Sequence, residues 1–405
     1  MDRTKLAHIA DGLAVALAVS LPLSTSATSI LGALWLLAVI PSLNWSDMRR
    51  ELLTPAGGLP VLLFLLGLLG MAWADVSLVE RWNGFDSFLK LPAIPLLIAQ
   101  FRHSERGSWV LGGYLASCVA LLVTAVLVRF VPPFTAIPTN ADGLLAKNIP
   151  TQSGEFVTCI FGLLFLALET FRRRQWLWVT VMAGAAFGML IDIIYRSIGR
   201  TALVTIPVLL VLFAIKKLDY RGVLILLLGA TVLSATAWYS SPYLRKRTEA
   251  VWIDFKQYEK ADEQNSSGER IEFAKKSFGF VLEAPVFGHG TGTIHALFEM
   301  SSRGHTGAAG SATTNPHNQT FAVAIQLGLI GALVLWAMWI AHLLLFRGDG
   351  LAQWVGLVVV TQNIVGSLFN SHLFDFTQGW VYVVGVGVAG GMVLQNRSKG
   401  IAGGP

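Results

Sequence analysis

The chain has 405 residues, of which 54% are hydrophobic and only 13% charged, and its mean hydropathy is +0.60. So few charges cannot cover that much apolar surface in water, which excludes a soluble enzyme or a disordered chain and predicts an all-α polytopic membrane protein. The formal charge of +6 does not call for a nucleic-acid partner, because membrane proteins collect Lys and Arg for topological reasons.

Apolar stretches compatible with crossing a bilayer, about 17 to 25 residues each, fall near 6–23, 26–43, 58–74, 87–101, 108–129, 154–171, 175–195, 201–215, 222–241, 317–346, 351–371 and 376–395. They number twelve. The N-terminal run has no small-residue cleavage site before further apolar sequence, so it is expected to be a retained helix rather than a signal peptide. Cys118 and Cys159 each lie inside an apolar run and imply no disulfide framework. Fifteen Lys and Arg fall in one set of short connections and termini, among them Arg49, Arg102, Arg172, Lys217, Arg347 and Lys399. The opposite short loops hold six: Arg81, Lys90, Arg129, Lys147, Arg196 and Arg200. By the positive-inside rule both termini are then cytoplasmic.

Three segments follow from this count: transmembrane helices 1–9 over 1–241, a large outer loop over 242–316, and helices 10–12 with a short tail over 317–405. The loop carries nine basic and nine acidic residues, so it is no general anion sponge. Leu244, Val251, Trp252, Phe255 and Tyr258 recur at helical spacing, as do Ile271, Ala274, Phe278 and Leu282. Two amphipathic helices lying on the membrane or capping the bundle are expected, with a turn at Asn265-Ser266-Ser267-Gly268. Gly288-His289-Gly290-Thr291-Gly292 and the run Gly304 to Thr314 read as mobile hinge or lid. The glycine-rich stretch lacks the Lys-Ser/Thr and the preceding strand of a phosphate-binding P-loop.

Asn315-Pro316-His317-Asn318 stands just before the tenth span. Asn is a favoured N-cap and Pro a favoured first residue, which places His317 in the first helical turn. The helix dipole there attracts anions and disfavours imidazolium, leaving a neutral histidine able to accept a proton. The plainer alternative is a histidine that only satisfies a helix end. Arg200 opens the eighth span, and Asp192 with Arg196 forms an i,i+4 pair whose face Arg200 continues if the helix persists. An interfacial guanidinium is a functional candidate, although a snorkelling arginine accounts for it equally. Arg270, at the start of the second loop helix, is either a surface arginine or part of a clamp, since guanidinium binds phosphate bidentately. Arg245, Lys246 and Arg247 after the ninth span read as acceptor or headgroup contacts with membrane lipids. Asp375 is placed to orient His317 or pair with an arginine, or is simply a loop aspartate. No Asp-x-Asp, His-Glu-x-x-His, cysteine pair or Walker motif occurs. Asp262-Glu263 is the only adjacent acidic pair in the large loop, so neither a metal nor another cofactor is expected.

Taken in order, Gly199-Arg200-Thr201, Ser267-x-x-Arg270, Ala284-Pro285-Val286-Phe287-Gly288-His289-Gly290-Thr291-Gly292 and Pro316-His317-Asn318, with a large loop between spans nine and ten, resemble the O-antigen ligase family of the bacterial inner membrane. That family is grouped with O-antigen polymerases and protein O-oligosaccharyltransferases. Its pattern has a tryptophan after the loop arginine, where this chain has Phe273-Ala274. The resemblance implies a fold similar to the C-type glycosyltransferases and metal-independent transfer of polysaccharide. The donor would be undecaprenyl-diphosphate-linked O-antigen, and the acceptor a lipid A-core hydroxyl at the periplasmic face. Carried over, His317 would be the base, with Arg200 and Arg270, and Arg196 beside them, holding the diphosphate; Asn315, Asn318 and Asp375 would support the site. The sibling transferases use the same donor. A polysaccharide transporter or flippase is the reading from another class, but transporters favour midplane charges and repeated broken helices, and no internal repeat is evident.

Overall fold

The computed structural model describes residues 3–134, 139–140, 144–197, 199–261 and 266–402, with side chains at 133, 251–252, 254–261, 266 and 400–402 left undescribed. It is all-helical, with no strand among the described residues. The helices are α1 (Arg3–Ser20), α2 (Thr25–Ser42), α3 (Trp45–Leu52), α4 (Pro55–Gly70), α5 (Leu78–Asp86), α6 (Ala93–His103), α7 (Gly107–Phe130), α8 (Ile149–Arg172) and α9 (Trp176–Tyr195). Then come α10 (Arg200–Lys217), α11 (Tyr220–Ser240), α12 (Pro242–Ala261), α13 (Ser266–Glu283), α14 (Ile294–Ser302), α15 (Gln319–Leu345), α16 (Leu351–Ser367) and α17 (Phe376–Ala402).

Seven of these are long and apolar enough to cross a membrane, and eight if the bent pair α3–α4 counts as one span. The sequence count was twelve. Eleven of its stretches coincide with helices, but several of those helices are shorter or carry more charge than a clean span. The stretch 87–101 is the clear departure. It resolves into turns followed by the 11-residue α6, which at 1.5 Å per residue spans about 16 Å of a core about 30 Å thick. Ile94, Leu97, Ile98 and Phe101 of α6 are fully buried, so its apolarity serves packing inside the bundle. Asp11 of α1 accepts from Gln100 and Ser104 at 2.8 Å each, and Trp35 of α2 donates to Gln100, tying three helices together.

One end of the bundle carries the pairs Arg102 with Glu51 (2.7 Å), Lys217 with Asp349 (3.2 Å) and Lys399 with Glu105 (2.8 Å). The helices α12 to α14 lie at the other end. On α13 the buried face is Phe273, Ser277 and Phe280, whereas Phe278 and Leu282 of the expected stripe are 57% and 63% exposed. The helix therefore caps the bundle with one apolar face and turns a second outward. Ser266 to Gly268 begin α13 rather than forming a turn. Asp262, Glu263 and Asn265 lie outside the described residues, as do the side chains of Val251, Trp252, Phe255 and Tyr258.

The glycine run 288–292 is a fixed seam, not a lid. Gly328 breaks α15 with φ 65°, and the carbonyls freed by the break take new donors. His289 N–H donates to Ile325 and Gly290 N–H to Gln326, while Leu329 N–H donates to Pro285. Thr291 donates to the carbonyl oxygens of Gly70 (through N–H) and Gly67 (through its hydroxyl). The run Gly304 to Thr314 is fastened as well: Lys276 donates to Ala309 O at 2.6 Å, and Ser311 donates to Glu269 at 2.7 Å. A Cβ at Gly328 would overlap the Val286 carbonyl, and a non-glycine there also meets a cost of about 1–3 kcal/mol for a backbone region (φ 65°, ψ −164°) that is essentially glycine's alone. Gly328→Ala is accordingly expected to lower the thermal midpoint of detergent-solubilised protein by several degrees, far more than Gly229→Ala, which meets open space.

Candidate functional site

Three separate elements converge at the end of the bundle that carries the loop helices. The first is the start of α10. The chain leaves α9 at Tyr195 and re-enters helix at Arg200, so the Asp192–Arg196–Arg200 face is interrupted rather than continuous. Gly199 sits against α8, where a Cβ would approach Ser153 Oγ to 2.6 Å; the absence of a side chain lets Arg200 start the helix there. Arg196 stays with Asp192 at 3.4 Å, and Asp192 is buried and also accepts from Gln152 and Ser197.

The second element is α13. Arg200 Nη1 donates to Ser267 Oγ at 3.3 Å, and Ser267 lies one turn from Arg270 on the same face. Burial, and after it the Arg200 charge, pull the Arg270 guanidinium below its ordinary value, although it stays protonated at any working pH. Arg200 is the first residue of α10, and Arg270 is close to the start of α13. Cations at these ends oppose the helix dipoles, at a cost typically of about 0.3–1 kcal/mol each. Two like charges brought together at two positive helix ends build a pocket that an anion would stabilise.

The third element is the strand of chain before α15. The N-cap of α15 is Asn318, whose side chain accepts from Phe321 N–H, and not Asn315. His317 therefore lies outside the helix, with φ 54°. Asn315 instead makes a local turn: its Oδ1 accepts from His317 N–H at 2.8 Å and from Ser371 Oγ at 2.7 Å. This corrects the expected placement and its electrostatics. The His317 imidazole is held below its ordinary pKa first by burial and then by Arg270, while Asn370 and Glu269 act weakly the other way. Phe273 of α13 stacks on the ring at 6.1 Å between centroids, filling the aromatic place one turn after the loop arginine.

The tautomer of His317 follows from a backbone hydrogen. Because Asn315 Oδ1 accepts from a main-chain N–H, its Nδ2 is a donor, and that donor meets Asn370 Oδ1 at 2.8 Å. Asn370 therefore presents an oxygen to His317 Nδ1 at 3.1 Å, so Nδ1 carries the proton and Nε2 keeps its lone pair. Asp375, read as orienting the histidine, pairing with an arginine or being simply a loop aspartate, makes local contacts. Its Oδ1 accepts from Gln378 N–H at the start of α17, and its carbonyl accepts from Lys90. Asn370 holds the ring in its place, and nothing in the sequence marks that asparagine, 53 positions from the histidine, apart from its lying in the loop before the last span.

The remaining candidates make other contacts. Asn318 caps α15 and also donates to Leu368 O at 3.4 Å. Arg245 donates to the carbonyls of Trp238 and Tyr239 at the end of α11, and Arg247 lies over the Tyr243 ring. Both serve local structure in this arrangement.

Asn370 is expected to act through the imidazole. Asn370→Leu should reduce kcat at least about tenfold, the equivalent of one lost hydrogen bond of about 1.4 kcal/mol. Asn370→Asp should keep the tautomer but favour imidazolium, moving the acid limb of the pH–rate profile upward. A role limited to loop structure would leave that limb where it is in both variants.

Residues 185–336 match a family model described as O-antigen ligase. The matched stretch runs from within α9 into α15 and contains Arg196, Arg200, Arg270, Asn315, His317 and Asn318, but neither Asn370 nor Asp375. Over that part of the chain the family resemblance read from the motifs is borne out. No curated protein matches the chain.

Proposed function

We propose that this protein is a glycosyltransferase of the inner membrane that moves O-antigen polysaccharide from undecaprenyl diphosphate to a lipid A-core hydroxyl at the periplasmic face, without a metal. The family match supports ligase- or polymerase-type chemistry, and the apolar helices support a membrane protein. The observation that carries the reading is the meeting of an Nε2-basic His317 with Arg270 and Arg200 from three elements far apart in sequence.

In that reaction the acceptor oxygen attacks the anomeric carbon of the donor sugar and forms the new C–O bond. The bond from that carbon to the diphosphate oxygen breaks, and the diphosphate leaves with the electron pair. The hydroxyl proton passes to His317 Nε2, and the imidazolium formed is stabilised by Asn370 Oδ1 at Nδ1. Negative charge gathers on the leaving diphosphate as the bond breaks, so the guanidiniums of Arg200 and Arg270 bind the transition state more strongly than the ground state. Two fixed cations supply what a divalent ion supplies in other diphosphate chemistry. The excess of Lys and Arg in the short connections at the end opposite this cluster supports cytoplasmic termini and a periplasmic site.

Purified protein in detergent or liposomes, given lipid-linked O-antigen and lipid A-core, should form the ligated product at an unchanged rate in excess EDTA. Growth of the donor glycan without acceptor would assign polymerase activity instead, and loss of rate with EDTA would overturn metal independence.

A further inference from the structure

A concavity that contains neither Arg200 nor Arg270 adjoins the segment just before the histidine. It is a cleft of about 470 Å³ between α5, α14 and the start of α17, and Asn315 and Pro316 form one wall. Consecutive Cα atoms are about 3.8 Å apart, so this wall is within a residue of the histidine. The polar groups lining the cleft include Glu80, Asn83, Ser87, His295, Asn315 and Asp375, and the Phe374 ring lines it as well.

Among the described residues no arginine or lysine lines it. The arginine of α5, Arg81, is turned away and donates to the carbonyls of Met71 (2.9 Å) and Val76 (3.0 Å). Lys90 is buried behind the cleft on the carbonyls of Leu373, Phe374 and Asp375. The cleft therefore differs in chemistry from the arginine cluster, with carboxylates, amides and hydroxyls where the cluster has guanidiniums. Groups that both donate and accept, beside an apolar ring, suit a hydroxyl-rich ring with C–H faces. They do not suit a phosphate, which Glu80 and Asp375 would repel.

The walls are also set in advance. Gly84 of α5 touches Gly292, and Gly292 N–H donates to Gln326 Oε1 at 2.8 Å. A cleft that needs no ordering on binding loses less of its interaction energy to entropy.

We propose that this cleft seats the sugar that bears the accepting hydroxyl, and that it selects an uncharged or amino sugar over one phosphorylated or carboxylated at the transfer site. This rests on the transferase reading above and adds the acceptor's place and class to it. Asn83 projects from an exposed position, so Asn83→Trp fills the cleft without entering the core. With donor and acceptor varied separately, Asn83→Trp is expected to raise the acceptor KM at least tenfold and leave the donor KM within twofold. His295→Ala should raise the acceptor KM more modestly in the same direction, which guards against a folding artefact in the first variant. A rise in donor KM instead would place the donor glycan in the cleft and overturn the proposal, as would unchanged KM values for both substrates in Asn83→Trp. An acceptor phosphorylated on the accepting sugar that works as well as its dephosphorylated form would overturn the selectivity. Failure of the transferase reading looks different: the wild-type protein would then consume no lipid-linked donor with any acceptor.

Discussion

His317→Asn is expected to reduce transfer by about 10²–10⁴-fold, the range of a positioned general base, while donor binding is retained. Asparagine is the informative replacement because His317 has φ 54°. Asn tolerates that region, whereas Ala would meet the left-handed penalty of about 1–2 kcal/mol and confound a chemical loss with a structural one. The wild-type profile carries a companion signature. Burial and Arg270 lower the His317 pKa below 6.5, so the neutral base is the main form throughout the neutral range. Activity should be level from pH 7 to 8 and fall only as pH drops through a midpoint below 6.5. His317→Asn should lose that limb. If kcat in His317→Asn stays within threefold of wild type, or the wild-type midpoint lies above 7, His317 is not the base.

Sequence chemistry and structure diverge in an instructive way at this histidine. Arg200 and His317 were legible as polar groups at the edge of an apolar run, and Arg270 as a cation at the start of a loop helix, where residue type alone raises a question. Their juxtaposition was not legible, since it depends on α13 folding back over the ends of α10 and α15. Asn370 was invisible for a different reason. An asparagine in a loop has many ordinary uses, and only the hydrogen-bond chain from His317 N–H through Asn315 fixes what this one does. Asn315 and Asn318, three residues apart, are both good caps by type, and the backbone φ of His317 decides for Asn318.

The fold shows the same limits. Hydropathy finds apolar stretches but does not separate a lipid-facing span from a helix buried by its neighbours. Hence α6, with Ile94, Leu97, Ile98 and Phe101 all inside the bundle, passed as a crossing. The glycine run 288–292 misled for a related reason. Glycines allow mobility, and they equally allow close backbone contact. The partner that makes this run a seam is the break at Gly328, 36 to 40 residues downstream, where no local pattern points to it.

The second large effect concerns the arginines. Arg200→Lys and Arg270→Lys are each expected to lower kcat/KM by about 10²–10³-fold, the loss typical of one preorganised donor to developing charge. Lysine keeps the charge but not the planar fork that meets two phosphate oxygens at once, so charge alone should not rescue either variant. The pair also gives a test of shared action. Arg200 bonds Ser267, one turn before Arg270, the two guanidiniums repel each other, and both are assigned to one diphosphate. Once one fork is lost the leaving group can shift away from the other, so the double variant should fall short of the product of the single effects by tenfold or more. His317→Asn combined with either lysine variant should behave differently, because proton removal from the acceptor and charge stabilisation on the donor act on opposite sides of the reacting carbon. Additivity within the arginine pair would mean that the two guanidiniums hold different groups, and the common clamp would have to be abandoned even if both single variants were inactive.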